Sequence, residues 1–141
     1  MNSIPKFCIV IPVNHNIGFF RLCLESLERL DYPRDQFKVV VVDVGQIPGL
    51  EAFARTELPK FSLPLLHLVL HPAPAADAHW LHEHRMNTAR NTAVAACPAQ
   101  VYVFTEDDAS FEPDWLRKIE SWLNEKTGAL GGPDVLPNDM G

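Results

Sequence analysis

Four short apolar runs alternate along this chain with four segments of helical pattern, and this alternation constrains the fold more than any other feature. The apolar runs are rich in Val, Ile and Leu, as buried β-strands are. They span residues 6–13, 37–45, 63–70 and 99–104, and the helical segments span residues 16–30, 48–58, 85–97 and 113–126. Strands that alternate with helices pair in parallel through right-handed crossovers. The sequence therefore predicts a three-layer α/β/α domain with a mainly parallel sheet.

The first helical segment carries an apolar stripe. Apolar residues recur there at intervals of three and four, which places them on one face of a helix. The members of this stripe are Phe20, Leu24 and Leu27, with Leu30 or Cys23 completing the face. Asn16 stands just before it, where an amide side chain can cap the first turn. The pattern predicts a helix that buries this face against the sheet.

The last helical segment contains two tryptophans. Trp115 and Trp122 lie two helical turns apart, and Pro113 precedes them at a position where the first turn of a helix tolerates proline. Aromatic side chains at helical spacing are more often part of a core than a platform for sugar. We expect both indoles to pack inside the protein.

Composition excludes several classes of function. With 141 residues the chain suffices for one domain, and its net charge of −6 argues against a nucleic-acid backbone as the main partner. No apolar stretch approaches the roughly 20 residues of a membrane-spanning helix, which leaves peripheral contact with a membrane open. The cysteines show no metal-ligand spacing and are odd in number: Cys8, Cys23 and Cys97. Reduced thiols in a cytoplasmic protein are expected.

Polar residues follow three of the predicted strands. Residues 12–15 follow the first strand, Asp43 ends the second, and the acidic run Glu106–Asp107–Asp108 follows the fourth. Parallel strands end at the same sheet edge, so these residues should converge there. Adjacent carboxylates repel one another unless a cation lies between them, and this favours a divalent metal over the alternative of a solvated acidic turn. The glycine-rich phosphate loops of dinucleotide-binding and P-loop proteins are missing from the sequence.

Four blocks of the sequence resemble the family 2 glycosyltransferases, which are inverting enzymes with a Rossmann-like GT-A fold that use nucleotide-sugar donors. The blocks read CIVIPVNHNIGFFRLCLESL, VVVVDVG, TARNTAVAAC and VYVFTEDDASFEPDWLRKI. The resemblance extends from about Phe7 to Pro133. The fourth block is the most specific, because an apolar strand, an acidic run and Pro-Asp-Trp-Leu follow one another at the family's spacing.

The resemblance implies roles for individual residues. Asp108 matches the last acid of the family's D-x-D motif and would bind Mg²⁺ or Mn²⁺. Asp107 would contact the ribose or a metal-bound water, and Glu106 would lie farther from the metal. Asp43 matches an acid that accepts a hydrogen bond from the base, and Arg90 matches an arginine of the nucleotide pocket. The alternative for Asp43 is a turn residue, and for Arg90 it is a surface charge.

The loop after the first strand departs from the family pattern. The family often reads Pro-Thr-Tyr-Asn, whereas this chain has Pro12, Val13, Asn14 and His15. Pro12 and Asn14 are expected in the nucleotide-sugar site. The aromatic side chain that packs on the base is lost, and His15 either stacks in its place or has no role. UDP-sugar is the donor that the family uses most.

The family's catalytic domains continue beyond the segment that resembles residues 128–133. That continuation supplies the acceptor site and the general base, and Asp134 and Asp139 do not match the base. We therefore expect residues 1–141 to form a single donor-binding domain that lacks the acceptor half. Two functions stay open: a metal-dependent glycosyltransferase with an unknown acceptor, and a truncated, non-catalytic nucleotide-sugar-binding or interaction module.

Three histidines in the segment HWLHEH form another candidate metal site. His79 and His82 are spaced to share a metal on a helix, and His84 follows. A zinc site is one interpretation. An exposed polar loop before the Ala-rich helix is the interpretation we favour, since no cysteine is close and the third histidine would point away from the first.

Overall fold

The computed structural model describes residues 3–70 and 78–131, with side chains described for 3–70 and 83–131. All four predicted strands and all four predicted helices are present. The strands are β1 (Phe7–Val13), β2 (Phe37–Asp43), β3 (Leu65–Val69) and β4 (Val101–Phe104), and the helices are α1 (Ile17–Glu28), α2 (Leu50–Thr56), α3 (Ala78–Ala96) and α4 (Trp115–Trp122). A short 3₁₀ helix, Leu58–Lys60, follows α2.

The strands form one sheet in the order β3-β2-β1-β4, and every pairing is parallel. In the register, Phe7 is paired with both Phe37 and Val101, and Val13 is paired with Asp43. The carboxyl ends of β1, β2 and β4 therefore meet at one edge, as the sequence predicted.

Alternate residues of β1 face two separate cores. Phe7, Ile9 and Ile11 pack against α1, α2 and α4 on one face of the sheet. Cys8 and Val10 pack against α3 on the other face. Because both faces are covered, β1 is buried along its whole length, which explains its uninterrupted apolar run. The predicted three-layer α/β/α architecture is confirmed.

Helix α1 follows the sequence pattern. The Oδ1 atom of Asn16 accepts a hydrogen bond from the backbone N–H of Phe19 at 2.8 Å, so Asn16 caps the helix as predicted. The predicted stripe is buried; its members are Phe20, Cys23, Leu24, Leu27 and Leu30. This face holds α1 against the sheet and fixes the loop that joins β1 to α1.

Helix α3 begins at Ala78, seven residues before the predicted start at Arg85. The expectation of a loop at HWLHEH was therefore wrong. The helix continues there because the segment contains neither proline nor glycine to end it. His84 is exposed, and the side chains of His79 and His82 lie outside the described residues.

The two tryptophans of α4 differ in burial. Trp115 packs against the core and stacks on Phe111 with ring centroids 4.0 Å apart. Trp122 is 72% exposed, so the prediction that both indoles pack was wrong for Trp122. The helix starts at Trp115 after the N-cap Asp114, and Pro113 thus precedes it rather than lying in its first turn. Helix α4 reaches the core through Trp115, the buried Leu116 and the partly buried Ile119. Leu123, at the carboxyl end of the helix, also packs against this core, so Trp122 is exposed because of the side of the helix on which it lies.

Among the described residues, no helix has both the length and the apolar character needed to cross a bilayer.

Candidate functional site

The acidic run lies beside the loop that follows β1. The backbone N–H of Thr105 donates to the carbonyl of Val10 at 3.2 Å, so the chain leaving β4 continues alongside the end of β1. This pairing brings Glu106, Asp107 and Asp108 next to Asn14 and His15. The convergence at the sheet edge predicted from the strand ends is present.

Asp107 is the buried member of the run. Its side chain has 0% exposure, and its Oδ2 atom accepts hydrogen bonds from the backbone N–H groups of Asn14 at 3.0 Å and His15 at 2.9 Å. Its Oδ1 atom contacts Nδ1 of His15. A carboxylate with this many donors ties the two loops of the site together.

Glu106 and Asp108 are directed outward. Their side chains are 50% and 42% exposed, in contrast with the fully buried Asp107 between them. Both line an open cleft, whereas Asp107 is not part of its wall. Two carboxylates of the run are therefore available to a ligand.

His15 connects the buried acid with an exposed one. Its Nε2 atom lies 3.7 Å from Oδ2 of Asp108, and its Nδ1 atom contacts Asp107. The hydrogen bond to Asp107 raises the pKa of His15 above its ordinary value, and the charges of Asp107, Asp108 and Glu106 add to this, although partial burial acts in the opposite direction. The imidazole is thus held within a group of carboxylates.

Helix α1 supports the acidic loop from below. The Sγ atom of Cys23 is 3.9 Å from the carbonyl of Glu106, and Oγ of Ser26 accepts a hydrogen bond from the backbone N–H of Phe111 at 3.1 Å. Burial, together with the charges of Asp107 and Asp108, raises the pKa of Cys23 to about 12, so it stays a neutral thiol. The described cysteines are all free and buried, as expected.

The cleft has a volume of about 480 Å³ and is bounded by three segments of the chain. The β1–α1 loop contributes Asn14 and His15, the acidic loop contributes Glu106 and Asp108, and one face of α3 contributes the rest, namely Glu83, Met86, Asn87 and Arg90. The Nη2 atom of Arg90 is 3.8 Å from Oε1 of Glu106, and its Nη1 atom donates to Asn87 at 3.4 Å. The positively charged guanidinium of Arg90 thus faces the acidic loop across the cleft.

Comparison with known proteins identifies the family. The sequence model described as "Glycosyl transferase family 2" matches residues 8–137. This chain belongs to that family. It is also 24% identical, over 134 residues, to the glycosyltransferase AglE of Haloferax volcanii; the match covers 95% of this chain and 40% of AglE.

Solved structures share the fold. The S. aureus protein TarS (residues 1–349, in complex with UDP-GlcNAc) superposes with a TM-score of 0.67 at 18% identity, over 92% of this chain and 37% of that one. The mannosyltransferase PcManGT of Pyrobaculum calidifontis, in complex with GDP-Man and Mn²⁺, superposes with a TM-score of 0.62 at 26% identity, over 89% and 34% of the two chains. The sheet and its helices have the GT-A, Rossmann-like arrangement of these neighbours. The chain spans well under half the length of these relatives.

The structure separates the predicted site residues of this family 2 chain into two groups. Asn14, Arg90, Glu106 and Asp108 line the cleft. Three others do not: Asp107 is buried behind the loop, Pro12 is buried within β1, and Asp43 is 9% exposed at the end of β2. The Oδ1 atom of Asp43 accepts a hydrogen bond from the backbone N–H of Gly45 at 2.7 Å, so it also stabilises the turn after β2.

Sequence reasoning missed the part of α3 that lies before Arg85, and with it the cleft residue Glu83. Glu83, Met86, Asn87 and Arg90 recur at intervals of three and four, so a helix starting earlier would have placed them on one face. It predicted that residues 12–15 lie near the acidic run but missed the contact between the ring of His15 and Asp107, because a lone histidine in a loop carries no signal of its partner.

The residues at this edge fit a divalent cation. Among the described residues, one ligand atom from each of His15, Glu106, Asp107 and Asp108 lies within 4.8 Å of the others. Carboxylate oxygens are the ligands that Mg²⁺ and Mn²⁺ prefer, and an imidazole is an additional ligand for transition metals. Both outward carboxylates are exposed and therefore accessible to a cation.

Proposed function

We propose that this chain is the donor-binding part of a glycosyltransferase that takes a sugar from a nucleoside diphosphate sugar and transfers it with inversion to an acceptor. The observation that carries the proposal is the cleft between α3 and the acidic loop, where Arg90 faces Glu106 and Asp108. Family membership and the shared fold support it.

The negative charge of the site favours a bound cation. Glu106 and Asp108 are exposed to the cleft, and a diphosphate placed beside them would be repelled. We propose that Asp108 holds Mg²⁺ or Mn²⁺ at this point. When bound, the cation neutralises the charge that develops on the nucleoside diphosphate as it leaves.

The remaining residues would bind the donor. Arg90 donates to the diphosphate from the opposite wall, and Asn14 lines the cleft beside His15. Asp43 uses one oxygen for Gly45 and keeps the other for an N–H of the base. UDP is the proposed nucleotide, supported by the UDP-GlcNAc complex of TarS, although PcManGT binds GDP-Man.

The geometry favours a changed role for Asp107. Both of its oxygens contact the β1–α1 loop, and none of its surface is exposed. We propose that it shapes the loop instead of contacting the ribose or a metal-bound water.

We further propose that the general base and the acceptor wall lie outside residues 1–141. The chain spans 40% of AglE and 37% of the TarS chain, so residues of such relatives beyond the matched part have no counterpart here. The free thiols Cys8, Cys23 and Cys97 suit a reducing compartment, and we propose the cytoplasm.

Calorimetry of UDP binding tests the proposal. Binding should require Mn²⁺ or Mg²⁺, and Asp108→Asn should abolish or strongly weaken it, because the substitution keeps the shape but removes a ligand charge. Asp35→Asn is the matched control, since Asp35 is exposed just before β2, at the opposite sheet edge. Binding without metal, or binding unaltered by Asp108→Asn, would contradict the metal assignment.

Turnover tests the proposed placement of the general base outside residues 1–141. We expect residues 1–141 to bind the donor but to transfer sugar poorly, since general-base assistance is worth about 10²–10⁴-fold. Release of UDP from a UDP-sugar in the presence of sugar acceptors is the measurement. Robust transfer by this chain alone would contradict the placement of the general base elsewhere.

A further inference from the structure

We propose that His15 is itself a ligand of the divalent cation, which it binds through Nε2 beside Asp108, and that Asp107 is the positioning residue that orients its ring. This inference rests on the proposed function, since it assumes a cation at the donor site. It adds a nitrogen ligand to a site that otherwise offers oxygen.

The first step is the tautomer of His15. The backbone N–H groups of Asn14 and His15 donate to Oδ2 of Asp107, and Oδ1 of the same carboxylate contacts Nδ1 of the His15 ring. An ionised carboxylate only accepts hydrogen bonds, so Nδ1 carries the hydrogen. In the neutral ring, Nε2 then has a lone pair that is free to bind a metal.

The second step is the position of that lone pair. Nε2 lies 3.7 Å from Oδ2 of Asp108. This separation is shorter than the sum of two metal–ligand distances of about 2.1 Å each, so one cation can contact both atoms. When the ring is protonated, Nε2–H forms an ion pair with Asp108 across this distance, and a metal ion that binds here takes the place of that proton.

Asp107 supports the ring of His15 from the side opposite Nε2. A histidine that binds a metal almost always donates its other N–H to a carboxylate or carbonyl, which fixes the ring and makes it a stronger ligand. Asp107 supplies such a partner, and its complete burial keeps water from competing for the contact. Glu106 faces Arg90 instead, so His15 and Asp108 form the pair best placed to hold the metal together.

The inference predicts which metal the site prefers. Mg²⁺ binds oxygen ligands and retains water, whereas imidazole is a better ligand for transition metals such as Mn²⁺ and Co²⁺. A site of one imidazole and one carboxylate should therefore favour Mn²⁺ over Mg²⁺. Without the histidine this preference should decrease.

Pulsed electron paramagnetic resonance of bound Mn²⁺ tests the ligand directly. The full chain would be prepared with ¹⁵N-labelled histidine and loaded with Mn²⁺ alone and with Mn²⁺ and UDP. The wild type should show coupling between Mn²⁺ and a histidine nitrogen, and His15→Asn should lose it. Asparagine keeps a donor N–H close to the position of Nδ1 but lacks Nε2, so the loop contact with Asp107 is retained.

Metal titrations provide the second readout. His15→Asn should weaken Mn²⁺ binding at least about tenfold and Mg²⁺ binding by less, and Asp107→Asn should weaken Mn²⁺ binding about 10–100-fold through the misplaced ring. His84→Asn is the matched control, because His84 is exposed on α3 and is not among the residues that line the cleft. Circular dichroism verifies that each variant is folded, and His15→Asn decides the outcome if Asp107→Asn is not.

The outcomes distinguish this inference from the function on which it rests. If UDP binds with Mn²⁺ but no histidine nitrogen is coupled, or if His15→Asn lowers the two metal affinities equally, His15 is not a ligand and the proposed function stands. If neither Mn²⁺ nor UDP binds to the wild type, both proposals are wrong. Coupling that disappears in His15→Asn and persists in His84→Asn establishes the ligand.

Discussion

The carboxylate of Asp107 binds the backbone and the ring of His15, ninety-two positions earlier in the chain. This contact joins the loop after β1 to the loop after β4. It exists because β1 and β4 are neighbours in a parallel sheet and end at the same edge. The cleft is thus assembled by sheet topology, and the contact sets the shape of its acidic wall.

The first prediction concerns the stability that this contact provides. Asp107→Asn should destabilise the protein by about 1–3 kcal/mol, because the amide cannot accept all of the hydrogen bonds from Asn14 and His15, and a buried donor is left unsatisfied. Urea unfolding followed by circular dichroism measures it. Asp35→Asn should change the stability by less than about 0.5 kcal/mol, as expected of an exposed residue. Equal effects of the two substitutions would contradict the structural role of Asp107.

The second prediction concerns the turn after β2. Gly45 has φ of +78°, and a Cβ atom there would lie 3.4 Å from Nη2 of Arg85. Gly45→Ala should therefore cost about 1–2 kcal/mol, since residues with a side chain rarely adopt this backbone conformation. Gly128→Ala is the control, because a Cβ atom there meets nothing within 4 Å and no positive φ is required. Thermal unfolding of both variants provides the comparison.

The third prediction follows from the unequal tryptophans. Trp115→Ala should destabilise the protein by roughly 1–3 kcal/mol, because the half-buried ring packs on Phe111 and the core. Trp122→Ala should have an effect below about 0.5 kcal/mol, since that ring is 72% exposed. Denaturant titrations measure the two free energies of unfolding. A larger loss for Trp122 than for Trp115 would show that α4 packs differently.

The sequence was informative wherever local pattern and burial agree. The strands could be predicted because a sheet covered on both faces requires unbroken apolar runs, and β1 is buried throughout. Trp122 could not be placed, because helical spacing gives a side of the helix but not the width of the stripe that the core covers; Leu123, next to Trp122, does pack against the core. The sequence predicted that residues 12–15 and the acidic run converge at one sheet edge. The contact of His15 with Asp107 also requires β1 and β4 to be neighbours, and the alternation of strands and helices does not specify this strand order.

The start of α3 was also not predictable from the sequence pattern. The segment before Arg85 is rich in histidine and has no apolar stripe, so the periodicity that marks the other helices is absent there. It nevertheless continues the helix, and Glu83 thereby reaches the cleft wall. The family resemblance supplied Asp108 and Arg90 as site residues, but it did not show that Asp107 is buried.

The fourth prediction concerns alkaline pH. Burial and the hydrogen bond to Glu120 raise the pKa of Tyr32 to about 12, above the ordinary value of 10.0. Because the folded state holds this proton more tightly, the stabilisation is fully present below pH 10 and is lost as the pH rises from 10 to about 12. Tyr32→Phe should flatten that part of the stability curve. Glu120→Gln should shift the loss to lower pH, and unfolding measured between pH 8 and 12 would reveal both effects.

The fifth prediction concerns the role of Arg90 in donor binding. Its guanidinium lines the cleft, is 34% exposed and lies 3.8 Å from Glu106, so it is accessible to a diphosphate. Arg90→Gln should weaken UDP binding in the presence of Mn²⁺ by about tenfold or more, because a charge-assisted hydrogen bond is lost.

The charge and the shape of Arg90 should contribute separately to this affinity. Arg90→Lys should lie between the wild type and Arg90→Gln, since lysine keeps the charge without the planar fork of donors. Arg55→Gln is the control, because Arg55 is on α2, across the sheet from α3, and pairs there with Glu51 at 3.1 Å. Calorimetry at low and moderate salt should show the largest differences at low salt, where partly exposed charges are least screened. If Arg90→Gln binds UDP as tightly as Arg55→Gln, Arg90 is a surface charge of α3, and the diphosphate must be held by the metal and the acidic loop alone.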